Sequence, residues 1–519
     1  MTTGIHRRDL FKGAGALALL GGIGLSPRAA LAATTTLRAA ITGYSVINTL
    51  DPGKATLIPE FYVIWGLYNG LLKFDDDMKI VPDLAESYAP AADGSLEFKL
   101  RPGVKFHDGS EMTAEDVKFS IERVLNEDFA SPNRAKVAQV DRVEVIDPLT
   151  LRIHTKKPFA PLLTFLTNAR TGTQIVPKKV VEAVGDAAFA RAPIGTGPYK
   201  LAAWDAGTGL KLAAHGDYFG GAPKQFTEID LPLIAEEASG VTALRGGQID
   251  MTSTAPAADV AQLEKDAAVT VLRKAGLNTR FFSINHRKAP FDDIHFRRAV
   301  SMAFQREAMV AAVIFGEGEV SHGIIPPGLG AYHSTEAREV TTFNPAAAKA
   351  EMAKSKYKPD EIAVPVITWS GGFWKRMAAV FVAQVNQTLG TKFTVEVTDS
   401  NAAYARQQSG DSLCPAWGWL GLVDPDEYVG DVYSSGGWRN FGGYQNAEVD
   451  SLSAAGAGEL DPAKRPEYYL KAEAIAVEEV AVIPCFFSNI HNLLAAGMTG
   501  FAQKPYSNFA DQFHGMTRA

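Results

Sequence analysis

Aromatic side chains are concentrated in one part of the chain. Five of the seven tryptophans lie between residues 369 and 438, namely Trp369, Trp374, Trp417, Trp419 and Trp438. Aromatic faces can stack on a ligand, although tryptophan also fills cores where its N–H finds a partner. In Trp417-Gly418-Trp419, we expect the two rings to separate, with one in the core and the other facing a binding cleft.

Trp369 and Trp374 flank Gly371 and Gly372, where the sequence predicts the start of a helix. The free amides and the positive end of a helix N-terminus favour an anion, so this segment is a candidate for binding a ligand carboxylate. The sequence of residues 368–372 is also similar to the GxSxG nucleophile elbow, but Thr368 occupies the position of the first glycine, which must allow a strained turn. We interpret that match as chance.

Other patterns with catalytic potential are incomplete. The ten histidines include no HExxH pair for zinc. Residues 195–198, Gly-Thr-Gly-Pro, lack the rest of a phosphate loop and indicate a tightly packed turn. Residues 75–77 lack the glycine and terminal glutamate of a calcium loop, and Asp108-Gly109 reads as a turn. We therefore expect no enzyme activity, no cofactor and no metal.

Composition narrows the class of protein. With 519 residues, 46% apolar and 21% charged, the chain can bury a large core in more than one domain. Its 51 basic and 58 acidic residues give a net charge of −7 without a basic block, which argues against a nucleic-acid partner. The two cysteines, Cys414 and Cys485, form no disulfide framework or zinc pattern, and their pairing is left open.

Residues 1–32 read as an export signal. A basic start precedes a short apolar run from Ala14 to Leu25 and the small-residue site Ala30-Leu31-Ala32. The order Arg7-Arg8-Asp9-Leu10-Phe11-Lys12 resembles the twin-arginine export motif, and an ordinary Sec signal is the alternative. No cysteine follows the run for lipid attachment, and no later segment has about 18 uninterrupted apolar residues. We expect a soluble periplasmic protein.

Periodicity indicates mixed α/β structure. Residues 96–100 alternate as a strand, and helices are expected from Thr113 and from Asp293. A helix over 374–389 followed by a strand over 393–397 indicates a parallel α/β unit, which leaves a ligand crevice at the carboxyl ends of its strands.

Several motifs together resemble family 5 of the solute-binding proteins that serve ABC importers of oligopeptides, dipeptides and nickel chelates. In chain order they are Leu84-Ala85-Glu86-Ser87, residues 93–109 and 113–117, Gly195-Thr196-Gly197-Pro198-Tyr199, Phe282-Ser283-Ile284-Asn285 with Arg297-Arg298-Ala299-Val300, Gly418-Trp419 with Asp424-Pro425, and Ile483-Pro484.

The resemblance implies an α/β periplasmic binding protein fold, with two lobes joined by two hinge crossings and an extra domain in the first lobe. Lobe one would span 33–283, completed by 488–519, and lobe two would span 284–487. The crossings would fall near 281–285 and 484–489.

The resemblance also implies site residues. It makes Trp419 the ring that stacks on the ligand and leaves Trp417 to the core. Trp369, Trp374 and Phe487, which lies in the second crossing, complete the aromatic candidates for ligand binding.

Two further candidates follow from a departure from the family pattern. Peptide-binding members carry an aspartate shortly after Gly-Trp that pairs with the free α-ammonium of the ligand, but here Leu422 occupies that position. An ammonium facing leucine would be a buried unpaired charge. There are two alternatives for Asp424: its carboxylate lies at the acidic position that Leu422 has replaced, or it caps the turn with Pro425. We expect plain dipeptides to bind poorly, and blocked, modified or non-peptide solutes to bind better.

The function predicted from these observations is a monomeric receptor that delivers a small peptide-like solute to the transmembrane subunits of an ABC permease by lobe closure. The alternatives are a receptor for metal chelates, opine-like solutes or sugar conjugates, and a secreted hydrolase on the same fold.

The twin-arginine interpretation can be tested directly. Replacing Arg7 and Arg8 by Lys should leave the precursor in the cytoplasm, because the twin-arginine route reads the arginine pair itself. Immunoblots of cytoplasmic and periplasmic fractions measure this, and normal secretion of the double variant would rule the route out.

Overall fold

The computed structural model describes residues 35–519 except 92, 370 and 371. The predicted export signal and its Arg7-Arg8 pair lie outside the described residues, and so does Gly371. The described chain is a mixed α/β structure, as predicted. Within it, no helix is both long and apolar enough to cross a membrane.

A nine-stranded sheet forms the centre of the fold. In spatial order, its strands are Ala416–Leu420, Val269–Ser283, Val482–Ala495, Met251–Thr252, Thr36–Thr42, Glu228–Ile234, Gly209–Ala214 and Tyr199–Asp205, while Gly318–Val320 pairs with Val482–Ala495. The long strands 269–283 and 482–495 run antiparallel, from Val269 opposite Ala495 to Ser283 opposite Val482. Residues 281–283 and 484–489, where the crossings are expected, lie in these two strands.

A second, four-stranded antiparallel sheet belongs to the first part of the chain. Its order is Ala85–Pro90, Leu96–Leu100, Thr150–Thr155 and Val140–Asp147, which confirms the predicted strand at 96–100. The helix Ala114–Leu125 begins at Thr113 as predicted. Asp116 stabilises that start, because its Oδ2 accepts from the backbone N and the hydroxyl of Thr113 at 2.9 and 3.1 Å.

The predicted parallel unit is confirmed. Strand Ala363–Trp369 leads into helix Gly372–Leu389, and strand Lys392–Thr398 then pairs parallel to the first strand. The helix Ile294–Met302 begins after Asp293, whose carboxylate accepts from the His295 amide at 2.8 Å. The starts of these helices and the parallel strand–helix–strand unit could therefore be predicted from local patterns.

The remaining helices and short strands connect these layers. The other α-helices are Ile58–Leu67, Arg134–Val137, Pro161–Phe165, Lys178–Val184, Asp186–Phe189, Glu237–Arg245, Val260–Leu263, Arg306–Ile314, Pro345–Lys354, Ser400–Gln408, Asp426–Tyr428, Ala447–Gly458 and Arg465–Glu478. Two short antiparallel strand pairs are Leu72–Phe74 with Ile80–Pro82, and Met498–Thr499 with Thr517–Arg518.

Turn motifs of the family signature have packing roles here. A Cβ at Gly195 would lie 2.1 Å from the carbonyl oxygen of Leu67, and one at Gly197 would lie 2.5 Å from that of Gly66. The two glycines therefore allow the close approach predicted for this turn. Gly109 has a φ of +86°, and Asp108 accepts from the Ser110 amide at 2.9 Å, as expected for a turn.

Arg306 ties the second long strand to two other segments of the chain. Its side chain is buried, and burial lowers its pKa to about 10. Nε donates to Pro484 O at 2.8 Å, and Nη1 donates to Thr341 O at 2.7 Å and Ser301 O at 3.1 Å. One guanidinium thus satisfies carbonyls on three separate segments.

Arg306→Met should lower the free energy of unfolding by about 3 kcal/mol, because it leaves several buried carbonyls without donors. Urea denaturation of the mature protein measures this. Arg298→Met is the matched control, since Arg298 is partly exposed and its Nε donates to Glu478 O. A loss below about 1 kcal/mol is expected there, and equal losses in both variants would contradict the role assigned to Arg306.

Candidate functional site

A cavity of about 670 Å³ lies between two separate parts of the chain. One side is formed by residues between 56 and 170, and the other by residues between 369 and 439. These stretches belong to different lobes in the division expected from the resemblance. A volume of this size suits a small solute enclosed between two lobes.

The aromatic wall contains both tryptophans of the 416–420 strand. Trp417 and Trp419 line the cavity together, with ring centroids 6.0 Å apart at 81°. The prediction that these rings separate is wrong, because residues two apart on a strand share one face. Trp417 is nevertheless buried, and it stacks on Tyr404 at 5.8 Å and meets Trp369 edge-on at 5.3 Å.

Of the other aromatic candidates, one lines the cavity and two do not. Trp369 lines the cavity, whereas Trp374 does not. The centroid of the Trp374 ring lies 4.2 Å from that of Trp369 and 5.2 Å from the guanidinium carbon of Arg280. Phe487 is buried against the His333 ring at 5.4 Å. The lining residues include neither Trp374 nor Phe487.

Leu422 and Asp424 line two different cavities. Leu422 lines the cavity, as its position after Gly418-Trp419 suggested. Asp424 is fully buried and lines a separate cavity of about 770 Å³. Arg465 donates to its carboxylate at 2.8 and 3.2 Å, and Thr164 donates to it at 3.1 Å.

Asp424 also accepts from the amide of Asp426 at 2.9 Å. The carboxylate therefore stabilises the turn and a buried ion pair, and of its two expected placements the turn is the one found. The sequence could not reveal this, since Arg465 lies 41 residues further along the chain.

Three carboxylic acids that the sequence analysis missed line the cavity: Asp426, Glu427 and Asp431. Burial raises the pKa of both Asp426 and Asp431 to about 7, and the nearby carboxylates add to the effect at Asp426. Tyr469 donates to Asp426 at 3.1 Å, while Glu427 accepts from the Val423 amide at 2.9 Å. Both aspartates change charge near neutral pH.

Three cations also line the cavity. Lys136 lies 3.6 Å from Glu427, and burial lowers its pKa to about 8. Arg170 donates to Leu420 O at 2.6 Å and to Thr56 O, and burial lowers its pKa to about 10. Arg439 lies between two indole rings. Its position directly after Trp438 is the signal that could have revealed it.

Five buried polar atoms without hydrogen-bond partners among the described residues belong to side chains that line this cavity. They are Trp417 Nε1, Trp419 Nε1, Arg439 Nε, Arg439 Nη1 and Glu427 Oε1. Burying such atoms unpaired costs free energy. The set contains four donors and one acceptor.

Cysteine and histidine side chains can supply a nucleophile or a metal ligand. The described residues contain no group of His, Cys, Asp and Glu side chains arranged to hold a metal ion. Cys414 and Cys485 are free and buried, and burial raises the pKa of both thiols. His107 is held between backbone groups of Gly195 and Gly197, and burial lowers its pKa to about 3.

Comparison with known proteins supplies the family. The model of the bacterial extracellular solute-binding proteins, family 5 Middle, matches residues 79–440, more than half of the chain. The glutathione-binding protein GsiB of Salmonella typhimurium is 27% identical over 479 residues, covering 90% of this chain and 92% of GsiB.

Solved structures share the fold. The oligopeptide-binding protein AppA of Bacillus subtilis, in complex with a nonapeptide, superposes with a TM-score of 0.81 at 23% identity, covering 93% of this chain and 99% of AppA. The binding protein AgaA of A. tumefaciens R10, in complex with agropinic acid, gives 0.81 at 25% identity, covering 93% and 99%. The chain therefore belongs to family 5 of the bacterial extracellular solute-binding proteins and is a two-lobed solute-binding receptor.

Proposed function

We propose that this receptor binds a small, peptide-like, acidic solute in the 670 Å³ cavity and delivers it from the periplasm to an ABC permease. The single observation that carries the proposal is the gathering of unpartnered buried donors at a cavity walled by both parts of the chain. Export by the twin-arginine route, a soluble monomeric state and the absence of catalysis belong to the same proposal.

Closure of the two lobes is supported by contacts across the cavity. Lys136 faces Glu427 at 3.6 Å, and Arg170 donates to Leu420 O at 2.6 Å. A ligand favours this closed arrangement only by its differential affinity for it. A solute that contacts both walls has such a differential affinity, because the open form would offer it one wall at a time.

The charges of the site support an acidic solute. Lys136, Arg170 and Arg439 are opposed by Glu427 and by two aspartates with pKa values of about 7. Below that pH, the cations exceed the ionised carboxylates. Glutathione, named for GsiB, and agropinic acid, bound to AgaA, both carry carboxylates. An opine-like solute is thus the second candidate.

A plain dipeptide fits this site less well. Its α-ammonium would meet Leu422 where peptide receptors offer an aspartate, while Asp424 is already paired with Arg465. An unpaired buried ammonium costs several kcal/mol. The cavity carboxylates Asp426 and Asp431 are only partly ionised near neutral pH, so they compensate incompletely.

Calorimetry with glutathione, N-acetyl-alanyl-alanine and alanyl-alanine tests the proposal. The N-acetylated dipeptide, which has no α-ammonium, should bind at least about tenfold more tightly than the plain dipeptide, a difference of about 1.4 kcal/mol. Submicromolar binding of alanyl-alanine that is abolished by Asp424→Asn would overturn it. Turnover of any of these compounds would favour a hydrolase.

Two tryptophan variants separate ligand contact from core packing. Trp417→Ala should lower the free energy of unfolding by about 3 kcal/mol, because this ring is buried among other aromatics. Trp419→Ala should cost no more than about 1 kcal/mol in the ligand-free protein while weakening glutathione binding about tenfold. Urea denaturation and calorimetry measure the two effects. A loss of several kcal/mol in ligand-free Trp419→Ala would make that ring a core residue.

A further inference from the structure

Arg439 occupies an unusual place in the cavity wall. Its guanidinium carbon lies 4.3 Å from the centroid of the Trp419 ring and 4.3 Å from that of Trp438. The side chain is only 8% exposed. The two ring contacts stabilise the cation, because an aromatic face attracts a guanidinium, and they restrict where the guanidinium lies before any ligand arrives.

The hydrogen-bonding capacity of this guanidinium is largely unused. Arg439 Nε and Nη1 are buried and have no hydrogen-bond partner in the described part of the chain. The facing charge is the Asp431 carboxyl, whose Oδ2 lies 3.7 Å from Nη1, beyond hydrogen-bond distance. Burial raises the pKa of this carboxyl to about 7, so near neutral pH it compensates the cation only in part.

Arg465 shows what a structural arginine looks like in the same region. It is equally buried, and its guanidinium donates to Asp424, to Gly456 O and to the Tyr469 hydroxyl. Arg465 therefore has its donors engaged by the protein, whereas Arg439 keeps two buried donors for another partner. The contrast separates a residue that holds the fold from one that faces a ligand.

The neighbours of Arg439 narrow the chemistry of that partner. Trp417 and Trp419 line the same cavity, and each has a buried indole N–H without a partner among residues that the structure describes. Three residues that line one cavity thus carry donors without protein partners. A guanidinium with unpaired N–H groups suits a carboxylate, because the two carboxylate oxygens can accept from two of those N–H groups.

We propose that Arg439 is the residue that selects ligands carrying a carboxylate, with the rings of Trp419 and Trp438 holding its guanidinium in position. The inference rests on the proposed function and adds to it the chemical group that the site recognises. A neutral carboxamide of the same shape brings an N–H₂ donor towards the guanidinium and loses the charge-assisted pair.

Matched acid and amide probes test this inference. Calorimetry would compare glutathione with its diamide, and N-acetyl-alanyl-alanine with its C-terminal amide, on the mature protein and on Arg439→Gln and Arg439→Lys. The unchanged protein should bind each acid at least about tenfold more tightly than its amide. Arg439→Gln should lose that preference by weakening the acids alone, and Arg439→Lys should keep part of it.

Arg406→Gln is the control, because Arg406 pairs with Glu396 at 2.5 Å and does not line the cavity. It should behave as the unchanged protein does. Thermal unfolding of each ligand-free variant shows whether it is folded. If Arg439→Gln does not fold, the conservative Arg439→Lys still decides the test.

The outcomes separate the two proposals. If acids and amides bind equally, or if both Arg439 variants keep the full preference for acids, the role of Arg439 is overturned while the receptor function stands. If the unchanged protein binds none of the four probes, the proposed ligand class fails, and the inference fails with it.

Discussion

The antiparallel pairing of strands 269–283 and 482–495 extends from Val269 opposite Ala495 to Ser283 opposite Val482. Strand 416–420 adds to the edge of this pair, opposite residues 278–282, and carries the cavity tryptophans. The positions of Trp417 and Trp419 are therefore set by backbone pairing with strand 269–283. Arg306 reinforces the arrangement by donating to Pro484 O on the neighbouring long strand.

Buried charged side chains of this protein differ in whether all their polar atoms have hydrogen-bond partners. Arg465, Arg306 and Arg123 have guanidinium donors that are taken up by carboxylates, carbonyls or hydroxyls of the protein. Arg439 and Glu427 are just as inaccessible, yet each keeps a buried polar atom free of hydrogen bonds within the described chain. Since an unpaired buried group destabilises the fold, these two residues of the cavity wall carry a cost that Arg465, Arg306 and Arg123 avoid.

Local patterns predicted much of the architecture because they act over a few residues. The start of the helix at Thr113 depends on Asp116 three positions later, and the parallel unit of 363–398 depends on periodicity within each element. The family motifs added the two-lobed fold. The same reasoning failed for Trp417 and Trp419, where it treated a spacing of two residues as a change of face.

Sequence alone determined the class of the protein, its mixed α/β structure, and a cluster of tryptophans together with Leu422 in a region that turned out to form a cavity wall. Only the tertiary structure decided which groups remain free to meet a ligand. Asp424 is removed from the cavity by Arg465, which is 41 residues away, and Lys136 reaches Glu427 from a distant part of the chain. Such long-range contacts determine whether a charged side chain is paired within the protein or remains available to a solute. Residue type and local spacing do not encode them, because the partner is chosen by how the lobes pack.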